Sequence, residues 1–329
     1  MSNIKLAIIY GGQSPEHEIS VMSARNVIDA VPQEKYGVTE VFISPKGDWS
    51  INANSIEPRT ELKKFDVVFP VLHGQNGEDG TIQGLLQLIG VPFVGSDVLG
   101  SSIAIDKDVT KRLCLQAGIS VAPGIVVRKG DSVDMKKLEI DFSYPLFVKP
   151  ACTGSSIGVH KVNNRDELAV AITDAFLYDT KILIEAAIDG QEIETAVLGN
   201  ENPKASFPGI VRPKGHSFYT YESKYFDDNG YELEIPAQLP DDVITRVQDI
   251  AIKVFKACEC RGLARIDCFV TETGQVILNE INTMPGFTHT SMYPKLCEAS
   301  GTSYPDLIDT LIQLAIERHQ RDSPLKTTW

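Results

Sequence analysis

In the stretch ARIDCFVTETGQVILNEINTMPG, Glu280 and Asn282 stand two residues apart and so face the same side of a strand. With a turn at Glu272–Gly274, Asp267 on the partner strand falls roughly opposite Glu280. Two carboxylates and an amide oxygen form a hard-oxygen set suited to Mg²⁺, which completes its shell with nucleotide phosphates and water. Arg265, two residues before Asp267, shares that face. A solvated polar sheet face is the competing reading. Like carboxylates placed opposite each other would destabilise such a sheet, and this repulsion favours the metal.

Two more stretches carry chemistry. In FVKPACTGSSIGVHKV a strand delivers Lys149, and a loop of small residues then exposes backbone N–H groups beside Ser155 and Ser156. Such a loop can wrap phosphate oxygens closely. It is neither a Walker A loop, since GxxxxGK[ST] is absent, nor a dinucleotide fingerprint, since a strand follows it. A flexible hairpin with no ligand is the alternative. In GHSFYTYESKYFDDNG, a polar aromatic segment with Lys224 and Tyr225 lies between two strand-like stretches and reads either as a lid or as an aromatic loop packed on the surface.

These groups need elements to hold them. KLAIIY, VTEVFIS and DVVFPVLH read as strands, and EISVMSARNVIDAV and GTIQGLLQLIG as helices. Strand–helix alternation of this kind predicts a parallel sheet covered on both faces, with ligands beyond the carboxyl ends of its strands. YGGQSPEHE and HGQNGEDG both fall there and can share one crevice. The last third carries antiparallel signals, with KILIEAAI, EIETAVLG and the LARIDCFV–QVILNEIN hairpin as strands. DKDVTKRLCLQAG, LAVAITDAF behind an NNRDE cap, DDVITRVQDIAIKVFKAC and YPDLIDTLIQLAIERH read as helices. The fold predicted is a doubly wound N-terminal lobe followed by two α+β lobes.

Composition sets the outer limits. At 329 residues the chain is too long for one ordinary core. No apolar run approaches the roughly 20 residues of a membrane span, and the N-terminus lacks the marks of a signal peptide, which predicts a cytoplasmic protein. The net charge of −13 argues against a general nucleic-acid or anionic-membrane binder, while a few lysines in one cleft could still reverse the local field for a phosphate. The cysteines at 114, 152, 258, 260, 268 and 297 show no zinc spacing and read as reduced, mostly buried thiols.

Taken in order, YGGQSPEHEIS, LHGQNGEDGTIQG, IDKDVTK, VKPACTGSSIGV, YTYESKY, ARIDCF and NEINTMPGFTHTSMYP resemble an ATP-grasp enzyme, and within that group the D-alanine–D-alanine ligase family. The resemblance covers nearly the whole chain. It implies an N-terminal Rossmann-like lobe over 1–96, a central ATP-grasp lobe over 97–184 and a C-terminal ATP-grasp lobe over 185–329 with the metal and acceptor sites. ATP would lie between the last two lobes. Lys107 and Lys149 would meet its phosphates under the loop that carries Ser156, with Glu185 at adenine, Glu192 at the ribose and Lys224 reaching the γ-phosphate. Asp267, Glu280 and Asn282 would hold two Mg²⁺ or Mn²⁺.

The same resemblance implies that one D-alanine is phosphorylated on its carboxylate and then attacked by the amine of a second. Glu16 would hold the first ammonium through a set with Ser155 and Tyr225, and Arg265 would stabilise the oxyanion. His73 would lie near the first carboxylate, with a hydrogen-bonded strand-end histidine as the alternative. Gly286, Ser291 and Met292 match positions that receive the second substrate. The product would serve peptidoglycan precursor synthesis, D-lactate or D-serine is the alternative acceptor, and a homodimer is expected. Tyr225 favours the dipeptide, because relatives that use D-lactate carry another residue, often His, at that place. Two departures stand out: Ala186 replaces a lysine that many relatives carry near adenine, and Cys152–Thr153 replaces bulkier polar residues in the phosphate loop.

Overall fold

The computed structural model describes residues 3–213 and 231–323. The expected sites Lys224 and Tyr225 lie outside the described residues. No helix among the described residues is long and apolar enough to cross a membrane.

The N-terminal sheet is built around β1 (Ile4–Gly11), which pairs in parallel with β2 (Tyr36–Ile43) and β5 (Val67–Val71). A hairpin of β3 (Trp49–Ile51) and β4 (Asn54–Ser55) extends one edge antiparallel. The apolar run of β1 is continuous because both faces are covered. Leu6 and Ile8 share a core with Ala24 and Val27 of α1 (His17–Ala30). Ala7 and Ile9 share another with Leu62, just after α2 (Pro58–Glu61), and with Ile82 and Leu86 of α3 (Thr81–Ile89). The doubly wound expectation holds.

After two successive helices, α4 (Val98–Ile105) and α5 (Lys107–Gln116), comes a four-stranded antiparallel sheet in the order β6-β9-β7-β8. Its strands are β6 (Gly124–Arg128), β7 (Leu146–Pro150), β8 (His160–Val162) and β9 (Lys181–Ala186). Its core is completed by α6 (Met135–Asp141) and α7 (Arg165–Ala175). The predicted cap is present: Asn164 accepts from Glu167 N–H at 3.0 Å while Glu167 accepts from Asn163 N–H at 2.7 Å.

A six-stranded antiparallel sheet follows, made of β10 (Gln191–Gly199), β11 (Lys204–Ala205), β12 (Gly209–Pro213), β13 (Tyr231–Glu234), β14 (Gly262–Val270) and β15 (Val276–Asn282). One face is covered by α8 (Asp241–Ala257), and the chain ends with α9 (Met292–Ala299) and α10 (Tyr304–Asp322).

The cores do not divide where the sequence suggests. A boundary after residue 184 would cut β9, whose six residues pair within the four-stranded sheet. Ala104 of α4 and Cys114 of α5 are buried in the core of the six-stranded sheet, so 98–119 packs with the C-terminal lobe. The outer lobes share one core, in which Leu307, Leu311 and Ile312 of α10 meet Leu6, Phe69 and Val71. Polar ties reinforce that joint. Tyr36 donates to Asp309 at 2.6 Å, and buried Arg318 donates to the Phe93 carbonyl at 2.8 Å with its guanidinium over the Phe93 ring. Helix periodicity reveals that α10 has an apolar face; it is silent on which distant sheet that face meets.

Candidate active site

Two cavities adjoin. The larger encloses about 500 Å³ between the four- and six-stranded sheets, ample for a nucleotide-sized ligand. Phe147, Val159, Ile210 and Phe269 give it apolar walls, and Lys107, Lys149, Ser156, Glu185 and Glu192 all line it. Five of the six expected cofactor-binding residues therefore meet in one place, the sixth being Lys224. Lys161 on β8, unmarked in the sequence reading, lines it as well.

The small-residue loop closes one end. Ser155 and Ser156 both take left-handed backbone, at φ 52° and 59°, and Gly158 follows at φ 70°. Left-handed serines are costly, and such strain concentrates at functional sites. Lys107 is anchored beneath the loop: its N–H donates to the Ala151 carbonyl at 3.0 Å and its ammonium to the Thr153 carbonyl at 2.6 Å.

Glu185 lines the cavity as expected, and its buried carboxylate is committed to two ammonium groups, Lys149 at 2.7 Å and Lys111 at closer range, so its side chain positions lysines. Burial alone would raise the Glu185 carboxyl, but Lys149 and Lys111 outweigh it and hold it below its ordinary value. Burial would likewise lower the Lys149 ammonium, yet the Glu185 carboxylate holds it above. Lys111 is pushed down to about 8 by burial and then by the Lys149 ammonium. Lys111 was missed although it sits four residues after Lys107 on one helix face, a spacing that makes the two neighbours.

The second cavity lies where the N-terminal lobe meets the six-stranded sheet, and it collects Glu16, His73, Ser155, Arg265, Glu280, Asn282, Gly286, Ser291 and Met292. Glu16 is the residue before α1 but does not cap it; its carboxylate accepts from the Ser155 hydroxyl, tying the N-terminal lobe to the phosphate loop. A carboxylate in the cavity wall suits an ammonium group and repels phosphate.

His73 is fully committed. Its Nδ1–H donates to the Met284 carbonyl at 2.9 Å, and its Nε2 accepts from the Ser23 hydroxyl at 3.2 Å. Burial lowers its pKa, so it is a neutral imidazole that fixes a loop and carries no charge for a carboxylate. Glu78 beside it was overlooked in HGQNGEDG. It accepts from Gly74 N–H at 2.9 Å and Met284 N–H at 3.3 Å. Burial first, then the Glu16 carboxylate, raises it to about 8, so it keeps its proton at neutral pH.

The loop after β15 is pinned from several sides. Phe287 N–H donates to Ser23 Oγ at 3.1 Å, and its carbonyl accepts from Asn26 at 3.1 Å and Tyr304 at 2.9 Å. Ser291 Oγ accepts from Thr288 N–H at 2.9 Å, so the hydroxyl leaves the N-terminus of α9 uncapped. Helix N–H groups and partial positive charge at that end suit a carboxylate. Gly286 is required for space, since a Cβ there would stand 2.7 Å from Ser291 Oγ.

The predicted hairpin register is observed: Asp267 pairs with Glu280 and Arg265 with Asn282, with a bulge between Asp267 and Cys268. Arg265 Nε and Nη2 donate to the two Asp267 oxygens at 2.8 and 2.6 Å, and Asn282 Nδ2 donates to Asp267 at 3.1 Å. Glu280 lies 3.4 Å from the Lys107 ammonium. The donor set is hard oxygen and suits Mg²⁺ or Mn²⁺, with its negative charge balanced in this structure by Arg265 and Lys107. No group of three His, Cys, Asp or Glu side chains among the described residues stands ready-made as a metal centre. A further carboxylate, Glu194, joins the row 3.0 Å from Arg265 Nε. Its signal was readable: it stands two residues from Glu192 and so on the same strand face.

Family models for the D-ala D-ala ligase N-terminus match residues 5–59 and 51–96, and that for the C-terminus matches residues 113–313. The chain is 47% identical to the D-alanine–D-alanine ligase of Shouchella clausii, over 100% of its own length and 99% of that protein's. Among solved structures it is similar to the D-alanine–D-alanine ligase of Coxiella burnetii, with TM-score 0.86 and 36% identity over 98% of this chain and 97% of that one. VanG D-Ala:D-Ser ligase from Enterococcus faecalis gives TM-score 0.85 and 34% identity over 95% and 100%. D-alanine–D-alanine ligase from Bacillus anthracis complexed with ATP gives 0.83 and 28% over 97% and 99%.

Proposed function

The chain belongs to the D-alanine–D-alanine ligase family, and we propose that it joins two D-alanines with ATP through a D-alanyl phosphate, releasing ADP and phosphate, to supply peptidoglycan precursors. The observation that carries this reading is the shared wall: Gly154, Val211 and Glu280 line both cavities, so a phosphoryl group in one lies beside a carboxylate in the other.

The chemistry assigns work to each part. ATP occupies the larger cavity, with Lys107 and Lys149 neutralising phosphate oxygens and the loop amides near Ser156 turned toward them. Glu192 takes the ribose, and the strand around Glu185 and Ala186 faces adenine. Asp267, Glu280 and Asn282 are the side chains that would hold two Mg²⁺ or Mn²⁺, which when bound draw charge from the phosphates. Glu16, steadied by Ser155, holds the ammonium of the first D-alanine. A carboxylate oxygen of that D-alanine attacks the γ-phosphorus and ADP leaves. The amine of the second D-alanine, whose carboxylate is held by Ser291, Met292 and Gly286 at the start of α9, attacks the acyl carbon. Arg265 balances the oxyanion, phosphate leaves and the amine loses its proton. His73 keeps the acceptor loop in place. Lys224 on the γ-phosphate and Tyr225 beside Glu16 complete the proposal from outside the described residues.

The lobes proposed are 1–96, a small central lobe around the four-stranded sheet up to β9, and the rest of the chain from β10 onward together with α4 and α5. A cytoplasmic homodimer is proposed with them, to be tested by sizing chromatography. ADP release measured with D-alanine, L-alanine, D-lactate and D-serine, alone and in pairs, tests the reaction. Turnover with D-alanine alone supports it, and no D-alanine-dependent ADP release refutes it. Preference for D-serine or D-lactate as acceptor at neutral pH would favour the alternative, to which the likeness to VanG D-Ala:D-Ser ligase gives standing.

A further inference from the structure

Three carboxylates share one row across the large sheet. Glu194 on β10 pairs with Asp267 on β14, and Asp267 pairs with Glu280 on β15. Directly opposed residues project from the same face. Glu194 and Asp267 are 3% and 1% exposed, so neither charge is relieved by water. The guanidinium of Arg265 is the cation set between these two. It gives both of its aligned hydrogen bonds to Asp267, at 2.8 and 2.6 Å, and faces Glu194 as an ion pair at 3.0 Å.

Asp267 cannot serve two cations fully. Both its oxygens are spent on Arg265, and one also accepts from Asn282 at 3.1 Å. A divalent ion demands carboxylate oxygen at short range in strict geometry, and any share it takes is lost to the guanidinium. Glu194 flanks Asp267 on the side away from Glu280, outside the expected ligand set. We propose that Glu194 is the positioning residue for Arg265, keeping the guanidinium over the reacting carbon when Asp267 turns to metal. It acts only through Arg265 and touches neither substrate nor metal. This rests on the reading that Arg265 stabilises the oxyanion.

The test uses the full chain with E194Q and E194A, each alone and combined with R265A. Readouts are kcat and KM for D-alanine, Mn²⁺ titration in the presence of a non-hydrolysable ATP analogue without D-alanine, and the thermal midpoint. E194Q is expected to lower kcat by about 10- to 100-fold, the usual cost of losing an outer partner at such a site. The Mn²⁺ and analogue affinities stay within about twofold, and on R265A the same change adds less than about threefold, since the partner through which it acts is already gone. Near-wild-type turnover of E194Q, or a full multiplicative loss on R265A, overturns the proposal. A fall in Mn²⁺ affinity in step with kcat also overturns it, making Glu194 a ligand. If E194A does not fold, the near-isosteric E194Q carries the test. Near-normal turnover of R265A alone overturns instead the role of Arg265.

Discussion

Lys111 offers a sharp test of the electrostatics beneath the nucleotide cavity. Two ammonium groups, Lys111 and Lys149, share the single carboxylate of Glu185, and all three side chains are buried. Burial, then the Lys149 charge, pushes Lys111 from its usual 10.5 down to about 8. A displacement of that size means that carrying the proton costs the folded state about 3 kcal/mol relative to the unfolded chain at neutral pH. Lys111→Met removes that charge and leaves one ammonium facing one carboxylate. It is therefore expected to stabilise the protein by about 1–3 kcal/mol at about pH 7.

The sign of the pH dependence follows. Between the folded and unfolded pKa values the unfolded chain binds more protons at Lys111, so wild-type stability gains on the variant as pH rises through that window. The advantage of Lys111→Met should shrink by about 2 kcal/mol between about pH 7 and about pH 9.5. Urea unfolding of both proteins at the two pH values measures it, and groups common to both cancel in the difference. A variant less stable than wild type at neutral pH, or a difference that does not move with pH, would refute the reasoning. Glu185→Gln is the opposite case. It leaves two buried ammonium groups without the carboxylate they share, and breaking such a set by removing one partner costs about 3–5 kcal/mol.

Arg265→Ala should lose about 10²–10³ in turnover while a fluorescent ATP analogue still binds, as expected for an oxyanion donor; loss of nucleotide binding in parallel would place its role elsewhere. Asp309→Asn should cost about 1–2 kcal/mol in urea unfolding, because buried Tyr36 loses a charged acceptor at 2.6 Å while the more exposed Lys35 contributes little. The Asp309 carboxyl, which burial would raise, is held below its usual range by Lys35 and Tyr36. Its contribution is thus present above the unfolded carboxylate pKa and lost as pH falls through the lower folded value. Cys152 tests the reactivity of the phosphate loop. The residue is exposed while the other five cysteines are buried, yet partial desolvation of its sulfur, then the Asp179 and Asp106 carboxylates, raise the thiol to about 12 from 9.0, so iodoacetamide at about pH 8 should modify it much more slowly than a free cysteine. Fast labelling traced to Cys152 by peptide mapping would contradict that environment.

Local patterns proved readable because their causes are local. The pairing of Asp267 with Glu280 expected from the hairpin is observed, but it is reached through a bulge at Asp267/Cys268 that shifts the ladder by one residue from the register nearer the turn, a detail that alternation alone does not supply. The gathering of Lys107, Lys149, Ser156 and Glu192 around one cavity was likewise anticipated, through an order of motifs that only a family resemblance could join. What stayed hidden depends on distant surfaces. The resemblance put Glu185 at adenine, and its strand does border the cavity, but nothing in the sequence showed that lysines from a helix and another strand hold its carboxylate. For His73 the sequence left two readings open, a neighbour of the first carboxylate or a hydrogen-bonded strand-end histidine, and both ring nitrogens are occupied, by Ser23 and Met284. The assignment of α4 and α5 to the large sheet required knowing which core Ala104 and Cys114 enter, and composition does not carry that.

The first turn of the chain shows how shape and chemistry part company. Gly11 and Gly12 bend β1 into α1 with φ 93° and 96°, the strand–turn–helix outline of a phosphate site. A Cβ at Gly11 would stand 2.2 Å from the Ile43 carbonyl, so the glycine serves the bend itself. At the point where phosphate would sit, the chain places the Glu16 carboxylate, and the Ser155 hydroxyl donates to it. A hydroxyl has one proton to give. Ser155 has given it to Glu16, so any phosphate contact at that residue would fall to its backbone N–H. On the proposed reading the Ser155 side chain belongs to the ammonium site. Replacing it with alanine should therefore weaken D-alanine binding far more than nucleotide binding, and comparable losses in both would show that the hydroxyl itself meets the phosphate.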